Sequence, residues 1–121
     1  MMSQKRIIFV IVLIFVTVIY LLTLPKSIGL GDSGLIAAAA ATGGIPHPPG
    51  FPSYVLVGHL FTKLPWGSVA WRLGLISVIA SAGIIALIFR TIQHRNGAAA
   101  AFAASVFLAF SYSFWSQAVN V

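Results

Sequence analysis

Asp32 is the only acidic residue among 121 and the sharpest candidate for chemistry. It lies in the stretch Gly31-Asp32-Ser33-Gly34, whose glycines leave a carboxylate accessible. Such a carboxylate could act as a general base or bind a divalent cation. The structural alternative is a helix cap, because Asp is a preferred N-cap residue and the Ala-rich run 35–41 that follows favours a helix. The two roles are compatible, and the residues alone leave both open.

Three basic residues could hold a substrate. His47, inside the proline-rich segment 45–52, could hydrogen-bond a phosphate or carry a proton, or it could simply tie down the turn. Lys63 and Arg72 lie beside apolar runs, where each could pair with a phosphate. Extension of these long side chains toward lipid headgroups explains them equally well. The chain has no cysteine, and its sequence contains no zinc-ligand spacing and no Ser-His-Asp arrangement.

Composition predicts that most of the chain is surrounded by lipid. Hydrophobic residues make up 60% of it and charged residues only 7%, whereas soluble domains carry roughly 25% charged residues. The net charge of +6 is scattered beside apolar runs. We therefore interpret it as topology signals and contacts with membrane lipids, not as a nucleic-acid surface.

Three apolar runs are long enough to cross a bilayer, for which about 20 residues suffice. They cover approximately residues 7–24, 69–89 and 98–115. The first run is longer than the apolar core of a signal peptide, which is about 7 to 15 residues, so we expect an uncleaved anchor. A short basic turn, 91–97, separates the second and third runs.

Positive residues in short segments stay cytoplasmic and so fix the orientation. They are Lys5, Arg6, Arg90 and Arg95. The N-terminus and the turn 91–97 are therefore expected inside, and the loop 25–67 outside. The tryptophans, Trp66, Trp71 and Trp115, all fall at the opposite membrane face, where an apolar ring with a polar edge prefers to lie.

The loop 25–67 is too long for a simple connector. We expect one short helix over 35–41 and a second over 53–64, with Pro52 as its first residue, joined by a stiff proline-rich turn. On the second helix His59, Thr62 and Lys63 share a face, which suits a helix lying in the interface with that face toward water. The predicted fold is all-α: three transmembrane helices plus two short interfacial helices, in one domain over residues 1–121.

Four segments resemble, in order and at similar spacing, the N-terminal region of a family of polytopic membrane proteins. They are Gly31-Asp32-Ser33-Gly34, Gly44-Ile45-Pro46-His47-Pro48-Pro49-Gly50-Phe51-Pro52, Val69-Ala70-Trp71-Arg72-Leu73 and Phe114-Trp115-Ser116-Gln117-Ala118. These are the protein O-mannosyltransferase-like relatives within the GT-C glycosyltransferase fold. The His-Pro-Pro-Gly-aromatic-Pro string is the most specific part of the resemblance.

The resemblance implies a partial GT-C-like fold and transfer of a sugar from a polyprenyl-phosphate carrier to an acceptor hydroxyl. Asp32 matches the acidic residue of the family's first extracytoplasmic loop, and His47 matches its motif histidine. Asp32 is therefore the expected catalytic residue, and His47, Lys63 and Arg72 are the expected substrate-binding residues. The expected location is the plasma membrane of a bacterium or archaeon.

Two departures from the family pattern limit that expectation. Leu35 stands where the family usually has Glu, which removes a second carboxylate and weakens the case for a divalent cation. The chain also stops at Val121, so we expect an N-terminal fragment that is inactive as 121 residues alone. The alternative is a small non-enzymatic membrane protein whose Ala-rich stretches, 37–41 and 98–104, pack against partner helices.

Overall fold

The computed structural model describes residues 4–29, 31–48 and 50–120, and this part of the chain is α-helical without strands. The helices are α1 (Gln4–Thr23), α2 (Ser33–Thr42), α3 (Pro52–Thr62), α4 (Val69–Phe110) and α5 (Tyr112–Ala118). Leu30 and Pro49 of the predicted loop, and the last residue, Val121, lie outside the described residues. The all-α prediction is confirmed for the described part.

Two of these helices, α1 and α4, are long and apolar enough to cross a membrane. α1 contains neither Gly nor Pro and stops just before Leu24, the residue that precedes Pro25. A residue before proline is pushed out of the helical region, which explains where α1 ends. With the composition, the two helices indicate a membrane protein.

α4 is divided at Gly97, whose dihedral angles (φ 86°, ψ 174°) are not helical. Helical backbone runs continuously from Val69 to Asn96 and resumes at Ala98. The predicted basic turn 91–97 is therefore wrong in its extent: its charged residues continue the helix, and one glycine makes the break. Gly tolerates this backbone region because it lacks a Cβ.

The two parts of α4 pack beside α1, one on each side of Gly97. The ring centroids of Phe9 and Phe89 are 5.4 Å apart, and the Gln93 side chain donates to the carbonyl of Lys5. Near the other end of α1, the Tyr20 hydroxyl donates to the carbonyl of Ala109, 2.8 Å away. After Gly97 the chain therefore runs back along α1.

A buried seam holds these three segments together. It comprises Val12, Val16, Tyr20, Leu24, Val78, Ile85, Phe89, Ala101, Ala109 and Ala118. The α1 members recur every four residues and so form one stripe of the helix. At the Leu24 end of this seam the packing is close: a Cβ at Gly74 would lie 2.5 Å from Leu24 Cδ2.

The third apolar run is not one straight helix. Helical backbone stops at Phe110, and Ser111 is extended (φ −64°, ψ 136°) before α5 begins. The Ser111 hydroxyl donates to the carbonyl of Leu108, 2.8 Å away, which satisfies one carbonyl at the helix end. The predicted run 98–115 thus contains a helix break at Ser111, and the helix that follows extends to Ala118.

The two short helices of the loop form as predicted. The Ala-rich sequence favours α2, which ends at Gly43 in the left-handed region (φ 70°). Pro52 is the first residue of α3, where its fixed φ suits a helix and its missing N–H costs nothing. Both helices pack on the start of α4 through a small cluster of Ala37, Ala40 and Leu73.

The orientation predicted for α3 is wrong for His59, whereas Lys63 is exposed as predicted. His59 is half-buried, with Nδ1 2.8 Å from the carbonyl of Ala40, so it faces α2. Leu56 and Leu60 are instead exposed, at 70% and 64%. Close packing explains the reversal: a Cβ at Gly58 would lie 2.8 Å from Leu73 Cδ2, so only the Gly58 side of α3 can approach α4.

Candidate functional site

Asp32 occupies the N-cap position of α2, but its side chain makes no capping hydrogen bond. Its backbone is already helical (φ −73°, ψ −9°), whereas a capping residue normally adopts extended angles. The side chain is exposed, and within the described part of the chain its carboxylate has no hydrogen bond or ion pair. The cap interpretation is therefore not supported, and the carboxylate is free for chemistry.

A polar cleft of about 260 Å³ lies one helical turn along α2 from Asp32. Its lining residues are Ile36, Phe51, Tyr54, Ser77, Gln117 and Asn120. The Ile36 N–H donates to the carbonyl of Asp32, 2.9 Å away. One turn of helix is about 5.4 Å long, so the backbone of Asp32 lies near one wall of the cleft.

Two hydrogen bonds at this polar cleft connect α3, α4 and the residues after α5. The Tyr54 hydroxyl of α3 donates to the carbonyl of Leu73 in α4 (3.2 Å). The Ser77 hydroxyl of α4 donates to the carbonyl of Asn120, just after α5 (2.8 Å). These bonds fix two hydroxyl oxygens on one side of the cleft.

The end of the described chain also meets the beginning of α2. A Cβ at Gly29 would lie 3.7 Å from Ser33 Oγ and 3.8 Å from Asn120 Oδ1, so both side chains lie against this glycine. Asn120 therefore contacts the turn that leads into Asp32 as well as lining the cleft.

Tyr54 is the one titratable group lining the cleft. Burial raises the pKa of its hydroxyl above the ordinary value of 10.0, and a hydrogen bond with Ser77 partly opposes this shift. The hydroxyl is therefore neutral at physiological pH and retains the proton that it donates to Leu73.

Phe51, the N-cap residue of α3, has an unusual backbone conformation. It is the only non-glycine residue with positive φ (42°) among the described residues. The left-handed region is unfavourable for residues with a Cβ, by about 1–2 kcal/mol. Strained residues of this kind cluster at functional sites, and Phe51 forms the aromatic wall of the polar cleft.

The predicted substrate-binding residues do not line the cleft. His47 is exposed in the proline-rich turn, where its carbonyl accepts from the Gly50 N–H (2.9 Å). Lys63 is exposed at the C-terminus of α3. The structure therefore does not bring these residues into the cleft, and their binding roles stay predictions.

Arg72 has a structural role that the sequence did not reveal. Its guanidinium donates to the carbonyls of Thr62, Trp66 and Gly67. These carbonyls belong to the connection between α3 and α4, so Arg72 fixes the shape of that connection. The fork of donors on one planar group makes Arg suited to several carbonyls at once.

The donor set near Asp32 does not fit a metal ion held by this segment alone. Among the described residues, no three His, Cys, Asp or Glu side chains lie close enough to form such a site. Divalent cations such as Ca²⁺ take six to eight oxygens, usually including several carboxylates. Leu35, where the resembling family has Glu, is exposed and supplies none.

Sequence reasoning missed Ser77 and Asn120 and gave Tyr54 no role in a site. Ser77 is a single hydroxyl inside an apolar run, and its partner Asn120 lies 43 positions away. One signal was present: Gln117 belongs to a segment that resembles the family pattern. Its position in the polar cleft gives that resemblance a physical basis.

Comparison with known families gives one match, to the protein O-mannosyl-transferase TMEM260 N-terminal domain, over residues 32–121. The matched stretch contains Asp32, α2 to α5 and every residue that lines the polar cleft. It confirms the resemblance to protein O-mannosyltransferase-like proteins. No solved structure matches the chain.

Two curated relatives support the same assignment. Mouse protein O-mannosyl-transferase TMEM260 is 38% identical over 107 residues, which cover 86% of this chain and 15% of the mouse protein. The Dictyostelium discoideum protein of the same name is 37% identical over 91 residues, covering 71% of this chain and 11% of the relative. The chain therefore spans a small part of either protein. Both relatives are eukaryotic, so they do not support the expected bacterial or archaeal membrane.

Proposed function

This chain belongs to the family of the protein O-mannosyl-transferase TMEM260 N-terminal domain, and we propose that it works in a membrane glycosyltransferase with Asp32 as its base. The donor in this proposal is a sugar on a polyprenyl phosphate, and the acceptor is a hydroxyl group of a protein. The names of the relatives support mannose as the sugar and protein as the acceptor. The observation that carries the proposal is the exposed carboxylate of Asp32, which makes no capping bond and lies one helical turn along α2 from Ile36 in the cleft lining.

In this proposal the chain crosses the membrane three times, in a GT-C-like arrangement. The contacts of Phe89 and Ala109 with opposite ends of α1 support two further crossings, one on each side of Gly97. The N-terminus and Gly97 are then cytoplasmic. The loop 25–67, with α2 and α3, faces the other side and carries Asp32.

The reaction needs one proton transfer and one exchange of bonds. The acceptor oxygen attacks the anomeric carbon of the sugar and forms the new glycosidic bond. The bond between that carbon and the phosphate oxygen breaks, and the polyprenyl phosphate leaves with the electron pair. The Asp32 carboxylate takes the proton that the acceptor hydroxyl loses, as a general base.

A lipid-linked donor fits the position of this site. α3 exposes Leu56 and Leu60, which suits a helix whose outer face meets acyl or prenyl chains. The exposed ammonium of Lys63 follows at its C-terminus and could meet the donor phosphate. His47 and Arg72 are the other proposed substrate-binding residues, with Arg72 contributing positive charge while it holds the connection after α3.

A chimera tests this proposal. Residues 32–120 of this chain replace the matching segment of the mouse relative, and mannose transfer from a polyprenyl phosphate to a Ser/Thr peptide is measured in membranes. We expect transfer with the polyprenyl-phosphate donor and none with a sugar nucleotide. A folded, membrane-inserted chimera that transfers no sugar would contradict the proposal and favour the non-enzymatic alternative, in which the segment packs against partner helices.

A further inference from the structure

The polar cleft has an uncharged lining that mixes polar and apolar groups. Tyr54, Ser77, Gln117 and Asn120 contribute hydroxyl and amide groups, while Ile36 and Phe51 contribute apolar surface. None of the lining residues carries a formal charge at neutral pH. A site of this kind binds a neutral ligand that has both polar and apolar faces.

The hydrogen-bonding groups of the lining that remain available limit the kinds of ligand that the cleft could bind. The Tyr54 hydroxyl donates to the carbonyl of Leu73, and the Ser77 hydroxyl is engaged with the carbonyl of Asn120 and with the Tyr54 oxygen. Both hydroxyl hydrogens are therefore used within the protein, and what the two groups still offer a ligand is lone pairs. Gln117 makes no side-chain bond within the described residues, so its amide can both donate and accept.

This combination favours a polyol over an anion. A phosphate has only acceptor oxygens and negative charge, and it would meet the lone pairs of Tyr54 and Ser77 without a cation to offset them. The hydroxyls of a hexose donate as well as accept, and so they can use all three groups. The C–H face of the sugar ring can pack on an aromatic wall such as Phe51.

We propose that the polar cleft lined by Tyr54, Ser77 and Gln117 binds the neutral hexose of the donor and leaves the phosphate outside. This inference rests on the proposed function. It adds that the sugar lies about one turn of α2 from Asp32, while the phosphate lies toward the basic residues outside the cleft. The cleft then contributes to which sugar is transferred, because a site that hydrogen-bonds the hydroxyls of a sugar binds less well a ligand that lacks them.

The test compares two lipids on the full chain in nanodiscs: farnesyl phosphate carrying mannose, and farnesyl phosphate alone. We expect the mannosyl compound to bind roughly tenfold more tightly, from two or three hydrogen bonds to uncharged groups. Gln117→Leu keeps the size of the side chain and should reduce that preference roughly fivefold. Ser116→Ala is the matched control, because Ser116 is next along α5 and donates to the carbonyl of Ser113 outside the cleft.

Equal binding of the two lipids by the wild-type chain, or an unchanged preference in folded Gln117→Leu, would overturn the assignment of the cleft. Because Gln117 is exposed, its replacement should leave the fold intact, and helix content by circular dichroism checks this. Failure of the proposed function is a separate result. If the chimera transfers sugar without Asp32, the proposed role of Asp32 as the general base is wrong. The measured preference of the cleft for the sugar-bearing lipid would still stand.

Discussion

The hydroxyl of Tyr20 donates a 2.8 Å hydrogen bond to the backbone carbonyl of Ala109, 89 positions later in the chain. Both residues are buried. This bond fixes the segment after Gly97 against the end of α1. The position of α5 depends on that segment, and with it the position of Gln117 in the polar cleft.

Tyr20→Phe removes this bond while keeping the ring. We expect a loss of about 1 kcal/mol in the free energy of unfolding, the usual net value of such a bond. Tyr112→Phe is the control, because Tyr112 is 81% exposed and its hydroxyl makes no bond within the described residues. The stability of both variants is measured by unfolding in SDS, monitored by circular dichroism. Equal stability of the two variants would show that the Tyr20 hydrogen bond does not stabilise the fold.

Gly97→Ala tests the break in α4. The backbone at Gly97 (φ 86°, ψ 174°) lies in a region that is essentially restricted to glycine, so a Cβ should cost about 1–3 kcal/mol. Gly83→Ala is a matched control inside the helix, and it should stabilise by up to about 1 kcal/mol. A Cβ meets no atom within 4 Å at either position, so backbone conformation alone separates the two variants. A stabilising Gly97→Ala would show that the chain runs straight through as one helix.

Arg72→Lys tests whether Arg72 stabilises the connection between α3 and α4 through its planar guanidinium or through its positive charge alone. Lys keeps the positive charge but cannot donate to the carbonyls of Thr62, Trp66 and Gly67 with one planar fork. We expect roughly 1–2 kcal/mol lower stability, together with faster proteolysis of the connection between α3 and α4. Lys63→Met is the comparison variant and should leave both readouts unchanged, because the Lys63 side chain is exposed and makes no bond within the described chain. Wild-type behaviour of Arg72→Lys would mean that charge alone matters there.

Leu35→Glu introduces an acid at the position where the sequence resemblance leads us to expect one. Leu35 is the third residue of α2 after the N-cap position, where a Glu side chain can reach back to the backbone N–H of Asp32 and complete a capping box. We expect a gain of about 0.3–1 kcal/mol from this bond and from the helix dipole. Ala38→Glu, exposed in the middle of the same helix, should give no such gain. Thermal unfolding in detergent compares them, and equal shifts would argue against the N-terminal effect.

Local signals predicted α2 and α3 well, because each is encoded within a few residues. The alanines of α2 set its helix propensity, and Pro52 marks the start of α3. The orientation of α3 was mispredicted for a physical reason. Periodicity placed His59 toward water, but its Nδ1 meets the carbonyl of Ala40 in another helix, a contact that no local pattern contains.

The break in α4 and the polar cleft show the same difference between features encoded locally and contacts between distant residues. The basic residues before Gly97 suggested a turn, yet Arg and Gln are good helix formers, and only the glycine breaks the helix. The cleft could not be predicted, since Ser77 and Asn120 meet across 43 positions through tertiary packing. Asp32 was predictable as a candidate because it is the chain's single acid, whereas its lack of a capping bond was not.

The most direct test of the account is sugar transfer by the chimera with Asp32→Asn and Asp32→Ser beside the wild type, with thermal stability measured on the same samples. Asn and Ser serve about as well as Asp at an N-cap position, but neither accepts a proton near neutral pH. The account predicts unchanged stability in both variants and a fall in transfer of at least about a hundredfold, the usual contribution of a general base. Full transfer by a stable Asp32→Asn chimera would contradict it and show that this carboxylate is not the base.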